Sequence, residues 1–429
     1  MEDFILDLLR ASKADAWTVT DERRSGWEFY FIRHRLDQNR VRDVEHITLT
    51  VYKRFSDEEQ EYLGSASAML PPTASRAEAE KLIGQLMNEA GLIRNPLYSL
   101  NKPSAGAAGA GEVPDLRTVS GDFLRAMRSV EESADADINS YEIFADCVER
   151  RFISSTGIDV TEVYPASMAE VVVNARRDGH EIELYRMYRS GSCDAAGLKA
   201  NVEETLRFGR DKLRAVKTPA LGKCDVVFST DDALSIYDYF IDRMDAGMVY
   251  RHISDCEIGK RVCEDAGGDA LTVRALRRLE NSSHNGAYDA EGAPVRDMPL
   301  IEGSIAKNYY GRRMFAQYLG LEDSFDPGNF AVDGGSSSAE ELRTGIYLEI
   351  VEFSDFQVDS ASGDIAGEIR LGYLHDGDTV TVVEGGSVSG TMRELAGSMR
   401  FSREQKQYNN YLIPAVTRLY GVNITGAEG

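Results

Sequence analysis

Apolar positions change their spacing along this chain, and each change marks an element. Phe4, Ile5, Leu8 and Leu9 recur at helical spacing, which predicts a short helix over 4–14. Aromatic and β-branched residues fill 28–36, and Ile47, Leu49, Val51 and Phe55 alternate with polar neighbours. Both segments read as strands, the second half-buried. Ser75-x-x-Glu78 has capping-box spacing and opens a helix whose apolar face is Ala79, Leu82, Ile83, Leu86, Met87 and Ala90. Gly91 ends it, and Pro96 lies just beyond.

Small residues, glycine and proline crowd 102–115, the clearest linker signal in the chain. The pattern then begins again. A helix is predicted over 120–133 and strands over 148–154 and 160–164. A hairpin of 168–176 with 180–188 turns at Asp178-Gly179. A long helix over 195–216 carries Leu198, Val202, Leu206 and Leu213 on one face. Helix, strands and helix thus occur twice before residue 217, a candidate duplication.

The third block opens with an apolar strand over 224–229 and a helix over 233–244. Helices are also predicted over 306–318 and from 336 to 342, and a strand over 345–351. Otherwise short strands and glycine-rich turns dominate, including an alternating run over 367–374. Such a pattern suggests a curved antiparallel sheet or a barrel-like domain. The predicted class is α+β: two helix-and-strand blocks, then a strand-rich C-terminal domain. The expected divisions are 1–100, a linker at 101–116, 117–217 and 218–429.

Charge narrows the function. The chain has 429 residues and a formal net charge of −23, which repels phosphate backbones, so no nucleic-acid partner is expected. Acidic residues stand where a signal peptide needs basic ones, and no apolar run approaches a membrane span. The expectation is a cytoplasmic protein with no membrane partner. Cys147, Cys193, Cys224, Cys256 and Cys263 are odd in number and form no CxxC pair, which fits free thiols.

Candidate chemistry is sparse. The chain lacks HExxxH, G-x-S-x-G, GxxxxGK[ST] and GxGxxG. His252, Cys256 and Cys263 would share a face if 250–264 were helical, and a Cys/Cys/His set is good zinc chemistry. Gly259 interrupts that helix, however, and Ile253, Ile258 and Val262 offer an apolar face instead. His34, His46, His180, His284 and His375 are scattered and read as surface or packing residues. Gly334-Gly335-Ser336-Ser337-Ser338 offers an anion cradle, but Ser338 and Glu341 at capping-box spacing favour a capping loop.

From residue 285 onward a series of turns falls in a telling order. Tyr288-Asp289-Ala290-Glu291-Gly292-Ala293-Pro294 precedes the strand and tight turn Leu300-Ile301-Glu302-Gly303-Ser304-Ile305. A helical stretch at 309–319 follows. Pro327-Gly328-Asn329, Ser362-Gly363-Asp364 and Ser389-Gly390 complete the series. This order and spacing resembles the TldD/PmbA family of metallopeptidases and their paired subunits.

The resemblance implies zinc held in active members by an HExxxH helix and a cysteine near the chain end. Zinc takes imidazole and thiolate, keeps a position open for water, and uses the glutamate as base. Here the matching helix window is 235–246, with Tyr237, Asp238 and Asp242 but no histidine. Asp238 and Asp242 lie at i and i+4, and the plain expectation is a solvated acidic face. Near the chain end the sequence reads Gln407-Tyr408-Asn409-Asn410-Tyr411, and the last cysteine is Cys263. The resemblance is thus to the non-catalytic TldE/PmbA-type subunit, inactive alone. It implies no cofactor in this chain, zinc in an HExxxH-bearing TldD-like partner, and a peptide substrate. The alternatives are a self-contained metal-dependent hydrolase and a peptide-binding homo-oligomer, for example a dimer, without catalysis.

Overall fold

A computed structural model describes residues 3–104, 111 and 113–427. The linker signal at 102–115 therefore lies partly outside the described residues. The first block is α1 (Asp3–Ala11), β1 (Ala16–Ile32), β2 (Arg35–Ser56), β3 (Glu61–Leu70) and α2 (Arg76–Ala90). The second is α3 (Leu116–Arg128), β4 (Ala136–Ser154), β5 (Asp159–Arg177), β6 (His180–Ser190) and α4 (Ala195–Lys212). The repeated order is real, and the two blocks share one six-stranded sheet, β3-β2-β1-β4-β5-β6. The equivalent strands β1 and β4 pair antiparallel at its centre, from Thr18↔Ser154 to Ile32↔Ser140. An antiparallel pairing of equivalent strands is what a two-fold-related duplication produces.

Strand alternation decides what each face of this sheet carries. Trp17, Val19 and Ile153 pack with Ile5, Leu9, Ile83 and Leu86 of α1 and α2. Further along the same face, Phe31 stacks on Tyr141 at 4.4 Å between ring centres, beneath Phe123 and Met127 of α3 and Leu206 of α4. All four helices thus cover one face. The alternate positions, among them Arg24, Arg42, Asp146 and Arg150, belong to the other. The capping box is present: Glu78 N–H donates to Ser75 Oγ and Ser75 N–H to Glu78 Oε2. Asp178 and Gly179 turn the β5–β6 hairpin with φ of 50° and 83°.

The remaining elements are β7 (Val216–Lys217), β8 (Gly222–Phe228), α5 (Leu234–Asp242), α6 (Ala246–Tyr250), β9 (Val273–Leu276), β10 (Met298–Glu302), β11 (Ile305–Ala306), α7 (Arg313–Tyr318) and β12 (Asn329–Val332). After them come β13 (Tyr347–Val358), β14 (Asp364–Asp376), β15 (Thr379–Glu384), β16 (Ser387–Thr391), α8 (Met392–Leu395), β17 (Arg400–Phe401), β18 (Gln405–Tyr408), β19 (Tyr411–Pro414) and β20 (Thr417–Thr425). One sheet runs β11-β10-β9-β12-β19-β18. The other runs β13-β8-β20-β16-β14-β15-β7, and a further β13–β14 pairing closes five of its strands into a barrel. A single core joins both sheets to α5, through residues such as Phe228, Ile350, Phe240, Leu300 and Phe330.

Several expected elements differ. The helix predicted over 195–216 stops at Lys212, and Val216 pairs instead with Val383 of β15. The helix predicted over 306–318 shrinks to α7, because Ile305 and Ala306 pair with β10 and Gly311 adopts φ 120°. From 336 to 342 there is one capped turn, not a helix: Ser338 N–H donates to Glu341 Oε2, and Glu341 N–H to Ser338 Oγ. No described helix is long and apolar enough to cross a membrane.

Candidate functional site

Helix α5 follows β8 into the core, and Ile236, Tyr237, Tyr239, Phe240 and Ile241 are all buried on it. Burial on so many sides leaves no open face for its acids. The expectation of a solvated acidic face is therefore wrong: Asp238 and Asp242 are half-buried. Burial raises Asp238 to about 6, Tyr411 holds it down in part, and Asp242 adds repulsion. Burial likewise raises Asp242, while Ser360 Oγ donates to its Oδ2 at 2.7 Å. The Tyr237 hydroxyl is spent within the core, 2.7 Å from Thr417 Oγ1.

Tyr411 begins β19, so the helix window and the chain-end window meet in space. What they bring together is a phenol and two carboxylates. Burial and the charge of Asp238 push the Tyr411 hydroxyl far above its ordinary range, so it stays a protonated donor. Zinc does not fit this set, which offers neither imidazole nor thiolate. Among the described residues no group of three His, Cys, Asp or Glu side chains is placed to hold a metal ion. His252, Cys256 and Cys263 do not share a helix: α6 ends at Tyr250 and His252 is left-handed at φ 57°. Burial raises both thiols above their ordinary range.

A second feature lies where the uncovered face of the N-terminal sheet meets the turns of the C-terminal domain. There a cavity of about 530 Å³ is walled by Arg24, Arg42, Arg150 and Arg189 on one side and by His284, Asp289, Asp326 and Gly328 on the other. Its sheet wall depends on Gly26 in β1. Arg42 donates to Asp146 Oδ2 across it at 2.8 Å, and a Cβ at 26 would sit 2.0 Å from Asp146 Oδ1. Arg150 is held by Glu162 and by the Tyr288 carbonyl, which ties the sheet to the 288–294 turn.

The opposite wall is built by Pro327-Gly328-Asn329. Asn329 is fully buried, and its Nδ2 donates to the His284 carbonyl at 3.1 Å and to Asn285 Oδ1 at 3.2 Å. Gly328 lets the loop come close, since a Cβ there would meet the His284 oxygen at 2.5 Å. Asn281 fixes the same loop to the end of β6, accepting from Ser192 N–H and donating to its carbonyl, both at 2.7 Å. Asp289 accepts from the backbone N–H groups of Glu291, Ala293 and Asp326. Burial still raises it to about 6.

The other turns are structural. Gly363, at φ 83°, packs against Tyr239 of α5 and accepts from Met392 N–H at 2.7 Å. Ser362 Oγ donates to Asp364 Oδ2 at 2.9 Å. Ser389 and Gly390 lie in β16 opposite Ala366 and Ile365 of the barrel. Sequence reasoning reached Asp238, Asp242 and Tyr411 but missed Arg189, Asp326 and the place of His284, since no local motif announces a wall shared between distant segments.

Residues 221–426 match the PmbA/TldA metallopeptidase C-terminal domain. This C-terminal region belongs to the TldD/PmbA family. The whole fold is also similar to that of solved structures. TldE from Thermococcus kodakarensis is 14% identical with a TM-score of 0.77, over 99% of this chain and 100% of that one. Two proteins described as modulators of DNA gyrase are alike in the same way. The one from Thermotoga maritima is 14% identical (TM-score 0.77, 99% of each chain). The one from Bacteroides thetaiotaomicron is 16% identical (TM-score 0.76, 99% of this chain and 98% of that one). No curated protein matches the sequence. Of the turns that carried the sequence resemblance, those around Asp289 and Gly328 wall the cavity, Gly363 packs against α5, and Ser389-Gly390 lies in the barrel.

Proposed function

We propose that this chain is the non-catalytic, TldE-like subunit of a zinc metallopeptidase that processes unfolded peptides. One observation carries the reading. The two windows that the family resemblance assigns to zinc meet in space, and they are occupied by Asp238, Asp242 and Tyr411. Zinc and the general base then reside in an HExxxH-bearing TldD-like partner. This chain contributes walls and an interface, and extended peptides suit sequence-tolerant capture through main-chain hydrogen bonds. The test is elemental analysis of the chain purified alone without chelators. Zinc far below one per chain is expected, and about one tightly held zinc per chain would overturn the reading.

A further inference from the structure

Within the cavity between the sheet and the 284–328 wall, most charges are already satisfied. Arg24 and Arg42 face Asp146, Arg42 also binds Glu28, and Arg150 binds Glu162. Asp289 is held by three backbone N–H groups. Two groups are left over, one of each sign. Arg189 is exposed and no carboxylate pairs with it among the described residues. Asp326 is exposed, and its carboxylate has no hydrogen-bond donor among them. Asp326 also faces Asp289 and Asp245 with only Arg312 to offset them, a local excess of negative charge.

His284 adds a directed donor at the positive end. Asn409 Nδ2, which can only donate, lies 3.3 Å from His284 Nδ1. Ser283 Oγ lies 3.1 Å from the same nitrogen, and with Asn409 donating to Nδ1 the ring proton sits on Nε2. Desolvation, reinforced by the charge of Arg189, holds the ring below its ordinary value and hence neutral at pH 7. Guanidinium and imidazole N–H together suit a carboxylate. The volume is in the range of sites for small organic ligands.

We propose that this cavity holds a short peptide with both termini free, its carboxylate on Arg189 and His284 and its ammonium on Asp326. The proposal rests on the peptide-handling reading above and adds a ligand class and its anchors. The test presents the full chain with an equimolar tripeptide pool and reads retention by mass spectrometry after ultrafiltration. Parallel pools carry an N-acetyl or a C-terminal amide block. The free pool is expected to be retained at least about tenfold better than either blocked pool. In R189Q the free and amidated pools should become equal, and in D326N the free and acetylated pools. Failure to retain the free pool overturns the proposal, as does retention that survives either block or discrimination unchanged in the variants. Peptidase activity on mixing with the HExxxH-bearing chain separates the two ideas. If that activity appears while the free pool is not retained, the subunit reading stands and the cavity proposal falls.

Discussion

At the level of single residues, the informative group is Asp238. Its charge was legible in the sequence, but its burial was not, because the i, i+4 pattern says nothing about how many sides of α5 are covered. Folding raises its carboxyl from 3.8 to about 6, so the folded chain binds a proton that the unfolded chain releases. The resulting penalty is full above the folded value and disappears below the unfolded one. Asp238→Asn should therefore stabilise the protein at pH 8 by about 1–3 kcal/mol. The gain should shrink to nothing near pH 4, as read by urea denaturation at both pH values. A gain independent of pH would contradict this account of the carboxyl. Asn329 carries the opposite sign. Asn329→Ala strips the donor from the buried side of the His284 loop and should cost about 1–3 kcal/mol. Little change in the urea midpoint would show that the loop does not depend on it.

Among the elements, local chemistry made the α2 capping box, the Asp178-Gly179 hairpin and the repeated block order legible. Elements set by distant partners were not. Val216 continues an apolar helical face by sequence, yet it pairs with Val383 more than 160 residues away. Likewise Ala306 leaves a helical pattern to pair with Ile301 of β10. The β1–β4 pairing is the most consequential of these distant contacts, since it makes one sheet of two repeats. It predicts that cleaving an engineered protease site inserted within 105–112 leaves the two pieces bound together. Co-elution on size exclusion without denaturant is expected. Separation of the pieces would show that β1 and β4 do not hold the repeats together.

For the molecule as a whole, several carboxyls take up protons on folding. Burial raises Asp232 to about 7 and Asp238 and Asp289 to about 6. Stability should therefore fall as pH rises from the ordinary carboxylate range through about 7, and the urea midpoint should be higher at pH 6 than at pH 8. Carboxylates held low by partners, such as Glu349 beside Arg343, reverse this trend only in stronger acid. The family was legible from the order of turns, while the cavity was not, since its walls come from β1, β2, β4, β5, β6 and two C-terminal loops. The central claim is that this scaffold serves catalysis held in another chain. The most direct measurement is hydrolysis of an unfolded polypeptide by this chain alone, by an HExxxH-bearing TldD-like chain alone, and by the two together. The account predicts no cleavage by this chain alone and chelator-sensitive cleavage by the mixture. Chelator-sensitive cleavage by this chain alone would contradict it.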